Sequence, residues 1–132
     1  MLEIPCEGKM TNDLYNYMKQ LANASVIPCT ILAVEKNPDG SCGDIRFYAV
    51  NDVFKRSYYD LFVELENHKE ISFEDFDEVI EGKLYTAHLP KEPKFEDICF
   101  RAAWNDEYIH AYVDTTKIYG YWTEDILLPI NC

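Results

Sequence analysis

The chain of 132 residues has no apolar run approaching the roughly 20 residues that a membrane-spanning helix needs, so membrane insertion is not expected. Its first residues lack the basic and then apolar pattern of a secretory signal. It also lacks any CxxC pair. Cys6, Cys29, Cys42, Cys99 and Cys132 are scattered singly, and none lies close to a histidine in sequence. A zinc site or a secreted disulfide framework is therefore poorly supported, and no metal site is expected. Reduced thiols in a cytoplasmic protein are the simplest expectation, with Cys29 and Cys99 as small apolar residues in strands. Basic residues are scarce: 12 lysines and arginines stand against 24 acids, a formal charge of -12. Such a surface repels phosphate backbones, which argues against nucleic acid and against anionic membranes. Internal repeats, low-complexity tracts and interior linkers are missing too.

What is present points to one folded domain. Hydrophobic residues make up 48% of the chain, with ten tyrosines and seven phenylalanines, which argues against disorder. The length suffices for one compact domain with a real core.

Residues 1–10 contain Pro5 and Gly8 and read as a loose lead-in. Thr11 or Asn12 can cap a helix that places Leu14, Tyr17, Met18 and Leu21 on one face. "VIPCTILAVEK", residues 26–36, reads as a buried strand, and "DIRFYAV", residues 44–50, as a second. Between them "NPDGSCG" is concentrated turn chemistry, so the two form a hairpin. In "FYAVNDVFKRSYYDL", residues 47–61, the hydrophobic beat changes from two to three and four. Asn51 stands at the junction, where its amide can accept a hydrogen bond from the first helical turn, and Asp52 adds negative charge there. "ISFEDFDEVIEG" carries a short helix with Phe73, Phe76, Val79 and Ile80 on a face, Ser72 as cap and Gly82 as stop.

The C-terminal third reads as three strands, "FEDICFRAAWN", "EYIHAYVDTTKIYG" and "YWTEDILLPIN", with a tight turn at residues 105–107. Helix, two strands, short helices and three strands predict an α+β fold built on a five-stranded antiparallel sheet.

In that order the chain resembles the PAS sensory family, from about residue 12 to 131. Residues 1–25 look like a lead-in and flanking helix, and 26–132 like the PAS domain itself. "VNDVF" is similar to the family's strand-end asparagine leading into its first core helix, and the last three strands match in order. The resemblance implies a sheet in the order 2-1-5-4-3, short helices on one face, and a cavity between them. On that basis Phe54, Phe62, Phe76, Ile80, Phe100, His110, Tyr112 and Trp122 are the candidate ligand-binding residues, and Asn51 is the structural helix cap. The flavin-binding branch uses a helix cysteine, yet none occurs between Cys42 and Cys99. Haem-binding members use a helix histidine facing the cavity, whereas His68 sits among Glu66, Asn67, Lys69 and Glu70 and reads as surface. Flavin and haem are thus disfavoured, and any cofactor is left open.

His110 could anchor a ligand or act as a base, although a strand histidine among aromatics explains it without chemistry. Arg101 could meet a ligand carboxylate or pair outward with a neighbouring acid. Acidic pairs such as Glu74 with Asp75 read as a solvated helix face. Both parities of the C-terminal strands are apolar, so something must cover the outer face. The resemblance implies a homodimer and a regulatory role in bacterial signalling, attached to or partnered with a GGDEF diguanylate cyclase or histidine kinase. It also implies that the chain is part of a longer protein. The alternatives are a small α+β enzyme using His110 with Asp114 or Glu107, and a ligand-free interaction scaffold.

Overall fold

The computed structural model describes residues 12–66 and 71–130. The lead-in, the Thr11 cap, His68 with Asn67, Lys69 and Glu70, and the thiols of Cys6 and Cys132 lie outside the described residues. The elements in chain order are α1 (Asn12–Asn23), β1 (Thr30–Lys36), β2 (Cys42–Val50), α2 (Asp52–Glu66) and α3 (Phe76–Ile80). A single 3-10 turn (Tyr85–Ala87) precedes α4 (Pro93–Asn105), β3 (Ile109–Asp114), α5 (Thr116–Tyr119) and β4 (Trp122–Leu127).

The class is α+β, but the five-stranded sheet is not there. Among the described residues the strands form two separate antiparallel pairs, β1 with β2 and β3 with β4. The order 2-1-5-4-3, and the sheet-and-helix cavity it implied, are therefore corrected. The first of the three expected C-terminal strands is helix α4. Its residues alternate only because apolar side chains occupy both parities. The helical spacing Phe95, Ile98, Cys99, Ala102 competes with that alternation, and Cys99 and Ala102 are the buried positions. Glu92 caps this helix by accepting from the Lys94 N–H at 3.0 Å, and Pro93 supplies a ready-made first-turn φ. Residues 105–107 are no hairpin turn: Asp106, at φ 55°, ends α4 in the left-handed region. The second expected strand stops at Asp114, and Gly120, at φ 80°, closes the single turn of α5 that follows.

The chain divides into two compact units. The first holds the described residues of Lys9–Ala33 with Arg46–His88; the second holds Val34–Ile45 with the described residues from Leu89 onward. The β1–β2 hairpin has its base in the first and its tip in the second.

In the first unit α1 buries Leu14, Met18 and Ala22, while Tyr17 stays 42% exposed. Phe47, Tyr48, Ala49 and Val50 are buried in succession, so the end of β2 is covered on both faces. The edge of β2 away from β1 is taken by a short return of chain. The Phe47 N–H donates to Lys83 O at 3.0 Å and the Gly82 N–H to Phe47 O at 2.7 Å, with Arg46 and Leu84 bridged beside them. Gly82 makes that return at φ +83°, which a side chain would strain. Ser72 accepts from the Asp75 N–H at 3.3 Å and its hydroxyl donates to the Asp75 carboxylate at 3.0 Å, one turn ahead of α3.

The second unit has a thinner core. Among its described residues the buried apolar ones are Ile45, Cys99, Ala102 and Pro129. Helix α4 packs against both β3 and β4. Its C-terminal end is tied by Arg101, which donates to both carboxylate oxygens of Glu107 at 3.0 and 2.8 Å, and by Trp104 Nε1, which donates to Val34 O at 3.0 Å. No helix among the described residues is long and apolar enough to cross a membrane.

Candidate functional site

The eight candidate ligand-binding residues fall into both units. Phe54, Phe62, Phe76 and Ile80 belong to the first; Phe100, His110, Tyr112 and Trp122 belong to the second.

The first group is a packed core. Phe76 and Ile80 are fully buried and Phe62 is 7% exposed. Phe62 and Phe76 lie 5.2 Å apart, Tyr58 and Phe76 5.8 Å, and Phe54 and Tyr58 6.2 Å, within the range over which aromatic rings attract. His88, directly after the 3-10 turn, joins them. Its ring lies 5.8 Å from Tyr58 and 5.6 Å from Phe62, and Nε2 is 3.1 Å from Val79 O. The rings fill one another's space.

Asn51 sits above this core, 1% exposed. Its Oδ1 accepts from the Phe54 N–H at 2.9 Å, capping α2, and from the Cys29 N–H at 3.0 Å. Its Nδ2 donates to Ile27 O at 2.8 Å and Ala22 O at 3.1 Å, with a longer approach to Ser25 O. One side chain thus ties the end of α1, the loop after it, and the start of α2.

A polar cluster that sequence reasoning missed lies nearby. Lys19 donates to Glu81 Oε2 at 2.7 Å and Val50 O at 2.6 Å, and the Val50 N–H donates to the same Oε2 at 2.9 Å. Tyr15 donates to Glu81 Oε1. Burial and the Glu81 carboxylate push the Tyr15 hydroxyl well above the usual tyrosine range. Lys55, 4% exposed, stands 3.9 Å from Asp77 and 4.5 Å from the Phe73 ring. Both Glu81 oxygens are occupied by donors, so the cluster clamps α1 to β2, and the Asp77 carboxylate joins it 3.3 Å from Lys19. The signal was the spacing of Tyr15 and Lys19, four apart on one face of α1.

The second group includes an exposed surface. In the β3–β4 register Ile109 faces Leu127, His110 faces Ile126, Ala111 faces Asp125, Tyr112 faces Glu124, Val113 faces Thr123 and Asp114 faces Trp122. Alternate pairs share a face. The inner face is half-buried: Ile109, Ala111 and Val113 with Thr123, Asp125 and Leu127. Burial there pushes the Asp125 carboxyl up, and a Thr123 hydrogen bond partly offsets it. The outer face carries Tyr112, Trp122 and Ile126 at 66, 60 and 65% exposure, with His110, Asp114 and Glu124 between them. His110 Nε2 stands 3.4 Å from Glu124, and its ring 5.3 Å from Tyr112. Asp114 Oδ1 accepts from the Thr116 N–H at 3.0 Å and the Thr116 hydroxyl at 2.6 Å, which holds its carboxyl below the usual range. Phe100 lies on α4, half-buried, because the strand expected there is helical.

The acids considered beside His110 have other partners: Asp114 bonds Thr116, and Glu107 pairs with Arg101. Arg101 pairs with acids of its own unit, Glu107 and, at 3.3 Å, Asp97. Burial pushes the Cys99 thiol up to about 12; it is a core residue of a helix and not of a strand. Among the described residues no group of three or more histidines, cysteines and acids is placed to hold a metal ion. Compared with family models, curated proteins and solved structures, the chain matches none.

Proposed function

We propose that this chain is a non-catalytic protein-interaction module that docks a polypeptide partner on the outer face of the β3–β4 hairpin. One observation carries the reading: Tyr112, Trp122 and Ile126 share one face at 60–66% exposure. Single exposed apolar residues are ordinary, but three bulky ones on one small sheet face are costly unless something covers them. The filled aromatic core of the first unit supports a scaffold over a small-molecule sensor. In the signalling setting expected from the sequence, the partner is a second copy or an output domain such as a diguanylate cyclase or histidine kinase. The test is site-specific photo-crosslinking in cells, with the reactive side chain placed at Trp122 and, as control, at exposed Tyr17. A discrete cross-linked species from position 122 that Tyr112→Ser and Ile126→Ser abolish is expected. Equal cross-linking from both positions rejects the reading.

A further inference from the structure

The outer face is ordered as well as apolar. Register sets Tyr112 directly opposite Glu124 and Trp122 directly opposite Asp114. Each aromatic residue is therefore paired across the strands with an acidic one, and the two pairs are two residues apart, about 7 Å along the strands. The Glu124 carboxylate also lies 3.4 Å from His110 Nε2, so His110 shares this acidic position. A ring face and a carboxylate side by side suit the same ligand, an ammonium or guanidinium group, which the ring attracts through its quadrupole and the carboxylate through its charge. Two such sites at that spacing match the side chains at positions i and i+2 of an extended chain, which point the same way. The third row, His110 opposite Ile126, continues the face with an apolar position.

Resting on the interaction reading above, we infer that the occupant of this face is an extended basic segment of another protein, with arginine or lysine at alternate positions. The charge of the chain favours this occupant over a second copy: two copies would each bring a net charge of -12. They would also bring Asp114 and Glu124 of one copy toward the same carboxylates of the other. Thr116 keeps Asp114 anionic by donating twice to its Oδ1. Among the described residues no further strand pairs with either outer edge of the hairpin, so backbone pairing can align the incoming segment with the rows.

The probe is a blocked peptide in which two arginines alternate with threonines, compared by calorimetry with its isomer carrying adjacent arginines. The alternating peptide should bind at least about threefold more tightly, since only it reaches both ring–carboxylate pairs. Glu124→Gln, Asp114→Asn and Tyr112→Ala should each weaken it about two- to fivefold, whereas Tyr112→Phe, which keeps the ring, should not. Circular dichroism of each variant separates lost binding from lost folding. Equal binding of the two peptides, or indifference to Glu124→Gln in a folded variant, overturns the proposal. So does a dimer in sedimentation that the same substitutions dissociate. If neither peptide binds but position 122 still cross-links, the basic occupant is wrong and the interaction surface stands; if both fail, both are wrong.

Discussion

Replacing Asn51 by alanine removes a cap and a three-way tie in one step. Two bonds end at Oδ1, from Phe54 N and Cys29 N, and three approaches start at Nδ2, toward Ala22, Ser25 and Ile27. They are not equal in cost. Losing the cap of α2 is worth about 1 kcal/mol. The Cys29 N–H is partly buried and left without its acceptor, another 1–2 kcal/mol or so. Ile27 is 60% exposed, so water can replace the amide at its carbonyl, and Ala22 O keeps the Ser25 N–H at 3.2 Å. The sum is about 2–3 kcal/mol, a large share of the roughly 5–15 kcal/mol that holds a typical domain folded. Urea denaturation followed by circular dichroism should show the midpoint falling by about 1–2 M. Asn51→Ser separates the parts: it keeps a capping oxygen, so it should recover about 1 kcal/mol of the loss. Amide exchange gives a local readout, with the Cys29 and Phe54 N–H groups losing protection in Asn51→Ala. If alanine costs under about 0.5 kcal/mol and both amides stay protected, the side chain is not the tie described here.

Further outcomes follow from the same geometry. Phe76→Ala empties a fully buried site between Tyr58, Tyr59 and Phe62 and should cost about 3–5 kcal/mol in urea denaturation; a loss below 1 kcal/mol would mean the rings do not enclose it. Gly82→Ala meets no atom within 4 Å yet must hold φ +83°, so a loss of about 1 kcal/mol measures backbone strain alone. Burial raises the Asp125 carboxyl above its unfolded value, so the folded state binds that proton more tightly, and stability falls as pH rises through the interval between the two. Asp125→Asn should therefore raise the melting temperature at pH 7, with the gain fading toward pH 3; an equal gain at both would exclude the titration. Peptide-resolved alkylation should find Cys99, whose thiol is raised to about 12 and 3% exposed, slower to react than half-exposed Cys42.

The first unit was legible in part: the buried strand expected at residues 26–36 begins only at Thr30, with Val26 and Ile27 exposed, and Tyr17 turns out of the face that α1 buries. The face of α1, the hairpin turn at residues 37–43 and the helix starting after Asn51 are local events, each encoded by periodicity or by one polar residue at a break. Asp75 lies three residues after Ser72, and the short α3 follows. The candidate surface was legible only in part. His110, Tyr112 and Trp122 were singled out, but as the lining of a cavity. That Glu124 faces Tyr112 and Asp114 faces Trp122 emerges only from strand register, which depends on where β3 and β4 begin and end. The failure at residues 95–105 has a definite cause. "FEDICFRAAWN" is apolar at both parities and at helical spacing, so periodicity could not choose; Glu92 and Pro93, just upstream, were the arbiters.

Composition, charge and local pattern alone determined that this is a folded, acidic, aromatic-rich α+β chain with a helix launched at Asn51. Such properties are set by each residue and its near neighbours in sequence. Only the tertiary structure decided that the strands pair as two separate hairpins, that Glu81 is where Tyr15, Lys19 and Val50 converge, and that Tyr112 stands against Glu124. Those outcomes hang on pairings between residues far apart in sequence, where several registers satisfy the same local preferences and packing selects one.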